Sequence, residues 1–144
     1  MNDAYIDKIN RKLYECFETK VIRKMKSDGY IDEFRSMILT EDSDDVFIEI
    51  RDIVEEWYSD LYDECALDIC NKNARGIIKA IQEDETVYED LLYTIKSYHG
   101  YIPDDEGELA FNLLDYGFIT LEGYYGWKDY ATYDVASKIY DMVA

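Results

Sequence analysis

Hydrophobic residues recur every three or four positions along most of the chain, which predicts a series of amphipathic helices. The clearest helix covers about Asp3 to Ser27, and the pair Asp28-Gly29 then stops it. Its inner positions are predicted to be Ile6, Ile9, Leu13, Phe17, Val21 and Met25. A shorter helix is predicted over Ile31 to Leu39, with Phe34 and Ile38 turned inward.

A second long helix is predicted from Ser43 to about Cys70. Its apolar stripe has helical period and consists of Val46, Ile50, Ile53, Trp57 and Leu61. Ser43 is a suitable N-cap, and the acidic residues after it lie where the helix dipole favours anions. Asn71 to Asn73 predict a break before a short helix that contains three isoleucines, Ile77, Ile78 and Ile81.

Capping patterns predict two further helices. Thr86 and Glu89 form a T-x-x-E capping box at the start of a helix that Gly100 ends. The next helix fits Gly107 to Tyr116, with Gly117 as its C-cap.

The C-terminal part contains one segment that is not clearly helical. Residues 118–127 are rich in glycine and aromatic residues, and either a short hairpin or an aromatic loop fits them. A last helix is predicted from about Lys128 to Met142. The fold class is therefore mainly α, a single-domain helical bundle of about six to seven helices over residues 1–144. It consists of a basic amphipathic helix, about 3–27, and an acidic helical body, 29–144.

The charge balance limits the partners that the protein is expected to bind. The chain has 33 Asp and Glu against 15 Lys and Arg, a formal net charge of −18. Direct binding to nucleic acid or to an anionic membrane needs basic patches, so neither is expected. A basic protein surface is the expected partner, and the groove of a nucleic-acid-binding enzyme is such a surface.

The negative charge is concentrated in one part of the chain. Residues 1–28 hold seven basic and five acidic residues, a net of +2, so residues 29–144 carry −20. Between Glu41 and Asp68 twelve acidic residues face a single basic one, Arg51.

On the second long helix, six carboxylates fall within an arc of roughly 80° and span about 27 Å of its axis. They are Asp45, Glu49, Asp52, Glu56, Asp60 and Asp63. They average one carboxylate per roughly 4.5 to 5 Å of helix axis, which is comparable with the one phosphate per ~3.4 Å of duplex axis on a nucleic-acid strand. This face therefore predicts a row that imitates phosphates, although a plain solvated helix face is the alternative. Three more acidic residues, Glu83, Asp84 and Glu85, are expected to extend the acidic surface.

The first helix carries the opposite charge. Its basic residues are Lys8, Arg11, Lys12, Lys20, Arg23, Lys24 and Lys26. They are expected to pair with the acidic body of the same or another subunit, which includes a homodimer. A separate basic contact surface is the alternative.

Catalytic and metal-binding motifs are not found in the sequence. The three cysteines, Cys16, Cys65 and Cys70, have neither disulfide-framework nor zinc-site spacing, and the single histidine is His99. No phosphate-binding loop or hydrolase motif occurs. We therefore expect no catalytic residue, no metal and no cofactor. No signal peptide or long apolar run is recognised, so a cytoplasmic location is expected.

One C-terminal segment resembles a known family. The D-Y-x-x-Y of Asp129, Tyr130 and Tyr133, within Gly126 to Tyr133, is similar to a segment near the end of acidic antirestriction proteins. With its acidic helix, the chain resembles the small anti-defence proteins of phages and conjugative elements, which include antirestriction DNA mimics and some anti-CRISPR proteins. The basic first helix departs from a uniformly acidic mimic.

The resemblance implies a stoichiometric inhibitor, in the host cytoplasm if phage-encoded, that blocks the nucleic-acid site of a CRISPR effector or restriction enzyme. The six carboxylates would replace phosphates, and Tyr124 and Tyr125 would add apolar contact. Whether the acidic face or the aromatic C-terminal region carries binding stays open. The alternatives are an immunity or antitoxin protein that neutralises a basic toxin, an oligomeric adaptor, and a weak hydrolase.

Overall fold

The structure, a computed structural model, describes residues 2–119 and 122–144, and it describes side chains outside 118–126. The described residues form helices and no strand, which confirms the mainly-α prediction. The helices are α1 (Asp3–Ser27), α2 (Tyr30–Ile38), α3 (Ser43–Gln82), α4 (Glu85–His99), α5 (Glu106–Leu114) and α6 (Glu122–Val143), with a π-helical segment, Asp115–Ile119, after α5.

Helix α1 has the predicted bounds. All six of its predicted inner residues are buried, and the most exposed of them, Ile6, retains only 3% of its surface. Gly29 follows with a φ of 80°, a left-handed conformation that L-residues with side chains rarely adopt. Helix α2 begins immediately afterwards and buries Ile31 and Phe34, whereas Ile38 is only half-buried.

Helix α3 begins at a different cap from the predicted one. The Asp42 carboxylate accepts a hydrogen bond from the Asp44 backbone N–H at 2.9 Å, and the Asp42 carbonyl accepts one from Val46 at 3.1 Å. Asp42 is thus the N-cap, and the prediction for Ser43 was wrong. The predicted break at Asn71 to Asn73 is a kink, because only Asn73 leaves the helical region (φ −121°, ψ 17°).

The buried face of α3 differs from the predicted stripe in its second half. Residues Val46, Ile50, Val54, Tyr58 and Tyr62 are buried to 3% exposure or less, and they follow a strict four-residue spacing. The predicted Ile53, Trp57 and Leu61 are half-buried beside this line. A tyrosine has an apolar ring and a polar tip, so its place in the core could not be assigned from hydropathy.

Helix α4 has its predicted end and a different beginning. Gly100 adopts the left-handed conformation (φ 84°), and its N–H donates to the Lys96 carbonyl. At the start, the Asp84 carboxylate accepts from the Val87 N–H at 3.2 Å. The predicted capping box was therefore wrong, because Thr86 already lies within the first turn.

Helix α5 is capped by Asp105, whose carboxylate accepts from the Glu108 N–H at 2.9 Å. The predicted C-cap at Gly117 was wrong, since the chain continues as the π-helical segment. The hairpin or aromatic loop predicted over 118–127 is also wrong where the backbone is described, because α6 already begins at Glu122. Residues 120 and 121 of that prediction lie outside the described residues.

The chain divides into two compact units, and α1, α3 and α6 each pass from one to the other. A division into compact units does not test whether the chain is one domain, so the single domain expected from the sequence stays a prediction. The first unit comprises Met1–Leu13 and Asp63–Trp127. In it, α1 lies close to α3: the Asn2 N–H donates to the Ala80 carbonyl at 3.1 Å, and a Cβ at Gly76 would collide with the Tyr5 hydroxyl.

The second unit comprises Tyr14–Tyr62 and Lys128–Ala144. Its core includes the rings of Phe17 and Tyr58, which meet edge to face with centroids 5.3 Å apart. Four helices contribute further fully buried residues to this unit, namely Val21, Met25, Phe34, Ile50, Val54, Val135 and Ile139.

A polar network joins α1 and α6 within the second unit. The Lys138 ammonium lies 3.1 Å from the Glu18 carboxylate, 3.6 Å from Asp134 and 4.9 Å from the centroid of Tyr14. The Tyr14 hydroxyl donates to Asp134. Burial, and then Asp134, raise the pKa of Tyr14 to about 12. Tyr14 and then Glu18 raise the pKa of Lys138, so it is charged at neutral pH.

Replacing this lysine should weaken the fold. We expect Lys138→Met to lower the free energy of unfolding by about 1 kcal/mol, because exposed ion pairs and a cation–π contact each contribute less than that. Since the pKa of Lys138 is raised, its contribution is complete below the ordinary lysine pKa of ~10.4 and is lost as the pH rises through the raised value. Urea unfolding measures the change. The control, Lys79→Met, removes the same charge from an exposed lysine without an ion pair among the described residues. Equal losses in both variants would contradict this role.

Candidate protein-interaction surface

The predicted carboxylate row lies on the exposed side of α3. Asp45, Glu49, Asp52, Glu56 and Asp60 belong to the second unit, and all five are exposed. They span about 22 Å of helix axis at ~1.5 Å per residue. The sixth residue, Asp63, is also exposed and lies on the part of α3 that belongs to the first unit. We call the five residues from Asp45 to Asp60 the acidic row.

The acidic row has almost no internal compensation. Arg51 lies 4.0 Å from the Asp52 carboxylate, at the limit of an ion pair, and both side chains are largely exposed. Across the described residues, the other four carboxylates of the row have no ion-pair partner. Neighbouring like charges at these spacings each destabilise the helix by a few tenths of a kcal/mol. A cationic partner would remove that repulsion.

Two apolar side chains, those of Ile48 and Ile53, lie beside the acidic row. Ile48 is 44% exposed, and Ile53 is half-buried. Both line an open groove of about 300 Å³ together with four carboxylates of the row, those of Asp45, Glu49, Asp52 and Glu56. The surface thus combines negative charge with exposed hydrocarbon.

The other predicted contact residues are placed differently. Glu83 and Glu85 are exposed in the first unit, but the half-buried Asp84 uses its carboxylate to cap α4. Asp84 is therefore less available to a partner than predicted. Tyr124 and Tyr125 lie on the α6 backbone, and their side chains are outside the described residues.

Five of the seven basic residues of α1 have no ion pair among the described residues. Lys24 lies 3.3 Å from the Asp28 carboxylate and 4.8 Å from the centroid of the Trp57 ring. Five others have no ion pair in the part of the chain that is described, namely Lys8, Arg11, Lys12, Arg23 and Lys26. For these five, the expected pairing with the acidic body of the same chain is not observed.

An exposed aromatic cluster at the end of α4 was not found from the sequence. The rings of Tyr98 and Tyr116 stack with centroids 5.9 Å apart, and His99 meets Tyr116 edge-on at 5.5 Å. The Tyr101 hydroxyl donates to Glu108 at 3.0 Å. The signal available in the sequence was the run of aromatics around Gly100, where a helix ends. His99 is part of this cluster, because its ring contacts Tyr116 and Tyr101.

Two titratable side chains with little exposure, Cys70 and Asp115, have raised pKa values. Burial, and then Asp115, raise the pKa of the Cys70 thiol to about 12, so it is protonated at neutral pH and a poor nucleophile. Burial is also the main cause that raises the pKa of Asp115; Asp63 adds to the rise and His99 opposes it. In the described part of the chain, no three His, Cys, Asp or Glu side chains are grouped to hold a metal ion.

The raised pKa of Asp115 predicts a pH-dependent effect on stability. Its charged form is disfavoured in the folded state, so Asp115 destabilises the fold above the raised pKa, and this effect disappears as the pH falls toward the ordinary Asp value of ~3.9. We expect Asp115→Asn to raise the melting temperature near pH 7 and to change it much less near pH ~4. Thermal melts followed by circular dichroism test this.

The control for that measurement is Asp129→Asn, which removes the same charge from an exposed position. It separates the local effect from the general relief of a net charge of −18. A gain in Asp115→Asn that matched the control at both pH values would show that burial of Asp115 is not the cause.

Comparison with known proteins adds no relative. No protein-family model matches the chain, and no curated protein or solved structure matches it at a significant level.

None of the described helices combines the length and the apolar character needed to cross a bilayer.

Proposed function

We propose that this chain is a non-catalytic inhibitor that occupies the nucleic-acid-binding site of a host defence enzyme. The observation that carries the proposal is the acidic row, a line of exposed carboxylates of which only Asp52 has a nearby cation among the described residues. The row would take the place of phosphates in a groove lined by Lys and Arg of a CRISPR effector or restriction enzyme.

The geometry of a single helix supports this role. Residues three or four positions apart have Cβ atoms roughly 5 to 6 Å from one another on a helix surface. The row therefore places about one carboxylate per ~5 Å of helix axis, comparable in density with the one phosphate per ~3.4 Å of duplex axis on a nucleic-acid strand. The exposed part of Ile48 would add an apolar contact that phosphates do not provide.

Exposed charges at such a contact affect specificity and association rate, and their effect falls with salt. A basic partner captured through the row should therefore be retained at low ionic strength and released as salt rises. The experiment is affinity capture from a lysate of the natural host cell, followed by mass spectrometry.

The test compares two variants that each neutralise five exposed carboxylates by Asp→Asn or Glu→Gln, so that both have a net charge of −13 instead of −18. The row variant changes Asp45, Glu49, Asp52, Glu56 and Asp60. The control variant changes Asp3, Asp7, Glu15, Glu33 and Glu41, which are all exposed.

We expect the wild-type protein and the control variant to retain a Lys/Arg-rich nucleic-acid-binding protein. The row variant should bind it about tenfold or more weakly, since each charge pair contributes up to about 1 kcal/mol. Raising salt from about 50 to about 300 mM should weaken wild-type binding strongly. Equal losses in both variants, or salt-independent binding, would refute the proposal.

One observation favours a second candidate, an oligomeric adaptor. Five basic side chains of α1 have no ion pair among the described residues, so another subunit's acidic row is an available partner. Light scattering coupled to size exclusion, at low and high salt, separates the candidates. An adaptor gives a dimer or larger species at low salt, whereas an inhibitor of this kind stays monomeric. Capture of a basic toxin instead would favour the immunity or antitoxin alternative.

A further inference from the structure

An open pocket of about 340 Å³ lies between the start of α3 and the C-terminal part of α6, within the second unit. Three aromatic rings, those of Phe47, Tyr133 and Tyr140, line it. Phe47 meets Tyr133 nearly edge-on with centroids 5.4 Å apart, and it meets Tyr140 at 6.4 Å. Tyr133 is 59% exposed, so one aromatic wall is open to solvent.

The polar lining of the pocket is entirely uncharged or negative. Asp44 and Asp141 contribute two exposed carboxylates, and Ser43 and Ser137 contribute two hydroxyls. Neither carboxylate has an ion-pair partner among the residues that the structure describes, and no Lys or Arg lines the pocket.

These groups together favour a cation. The face of an aromatic ring carries a negative partial charge, and a cation held over it is attracted by that charge. The N-terminus of α3 opposes a cation, because the helix dipole places about +0.5 of a charge there. Two full carboxylates exceed that partial charge, and the Asp42 side chain already accepts a hydrogen bond from the Asp44 N–H.

The aromatic rings and the two carboxylates of the pocket favour a guanidinium group over an ammonium group. A guanidinium group is planar, stacks on aromatic rings, is weakly hydrated, and can donate to two carboxylates at once. A lysine ammonium is a compact, strongly hydrated charge that loses more solvation on entering an aromatic-walled pocket. The pocket also begins next to the acidic row, since Asp44 precedes Asp45 in the chain.

We propose that this pocket binds one arginine side chain of the partner protein. The inference rests on the proposed function in that the arginine would belong to the basic surface covered by the acidic row. In that arrangement the row attracts the partner, and the pocket fixes its register by one specific side chain.

The test uses a small probe, so it does not depend on identifying the partner. The isotope-labelled protein is titrated at low salt with an acetylated and amidated Gly-Arg-Gly peptide, and amide shifts are followed by NMR. We expect saturable shifts at Phe47, Tyr133, Tyr140 and Asp141. A peptide with citrulline, the neutral isostere of arginine, should leave these amides unshifted, and a lysine peptide should bind about threefold to fivefold more weakly.

Two variants locate the binding. Asp141→Asn and Phe47→Leu should each weaken the arginine peptide about threefold or more, whereas Asp129→Asn, the same charge change on α6 outside the pocket lining, should leave it unchanged. Asp141 is exposed, so its variant keeps the test valid if Phe47→Leu does not fold.

Equal binding of the citrulline peptide, tighter binding of the lysine peptide, or shifts confined to the acidic row would each overturn the arginine pocket. The last result would leave the acidic row as the only cation-binding surface. Conversely, arginine binding in the pocket would stand even if the captured partner proved not to bind nucleic acid, so the two proposals fail separately.

Discussion

Burial of one face of α3 determines where its carboxylates point. Val46, Ile50 and Val54 are fully buried, and each such apolar side chain contributes about 1.5 to 3 kcal/mol, so together they contribute roughly 4.5 to 9 kcal/mol. The like-charge neighbours within the acidic row oppose helix formation by roughly 1 to 2 kcal/mol in total. Burial therefore outweighs the repulsion, and the helix keeps a dense line of negative charge on its outer face.

The repulsion between the carboxylates of the acidic row is hardly reduced by basic side chains among the described residues. Most carboxylates of the row have no ion pair among the described residues, and the same is true of five basic residues on α1. The network around Lys138 shows that the chain pairs charges where helices meet. The carboxylates of the acidic row, in contrast, are exposed and mostly without an ion pair among the described residues, so a partner can reach them.

Local sequence patterns predicted the parts of the fold that depend on local rules. The regular spacing from Ile6 to Met25 and the stop at Gly29 gave α1 correctly, since one face and one left-handed residue define it. Two N-caps were misplaced because Asp42 and Asp84 compete with nearby Ser and Thr, which cap almost equally well. The π-helical segment was missed because it has no comparable local signal.

The candidate site was predictable to a similar degree. The acidic row follows from helical period and residue type alone, so all six predicted carboxylates of α3 are exposed as expected. The pocket was not predictable, because it brings Phe47 next to Tyr133 and Tyr140, which lie about ninety positions away in the chain. Its rings are paired by tertiary packing, and periodicity carries no information about that.

The most direct test of the central claim is competition for the nucleic-acid site of the captured partner. The partner is first bound to a fluorescently labelled nucleic acid, and the anisotropy is then followed as this protein is added. The account predicts that anisotropy falls to the value of the free nucleic acid at a stoichiometric amount of added protein, because both ligands occupy one groove. A ternary complex, in which anisotropy stays high while the protein is bound, would contradict it.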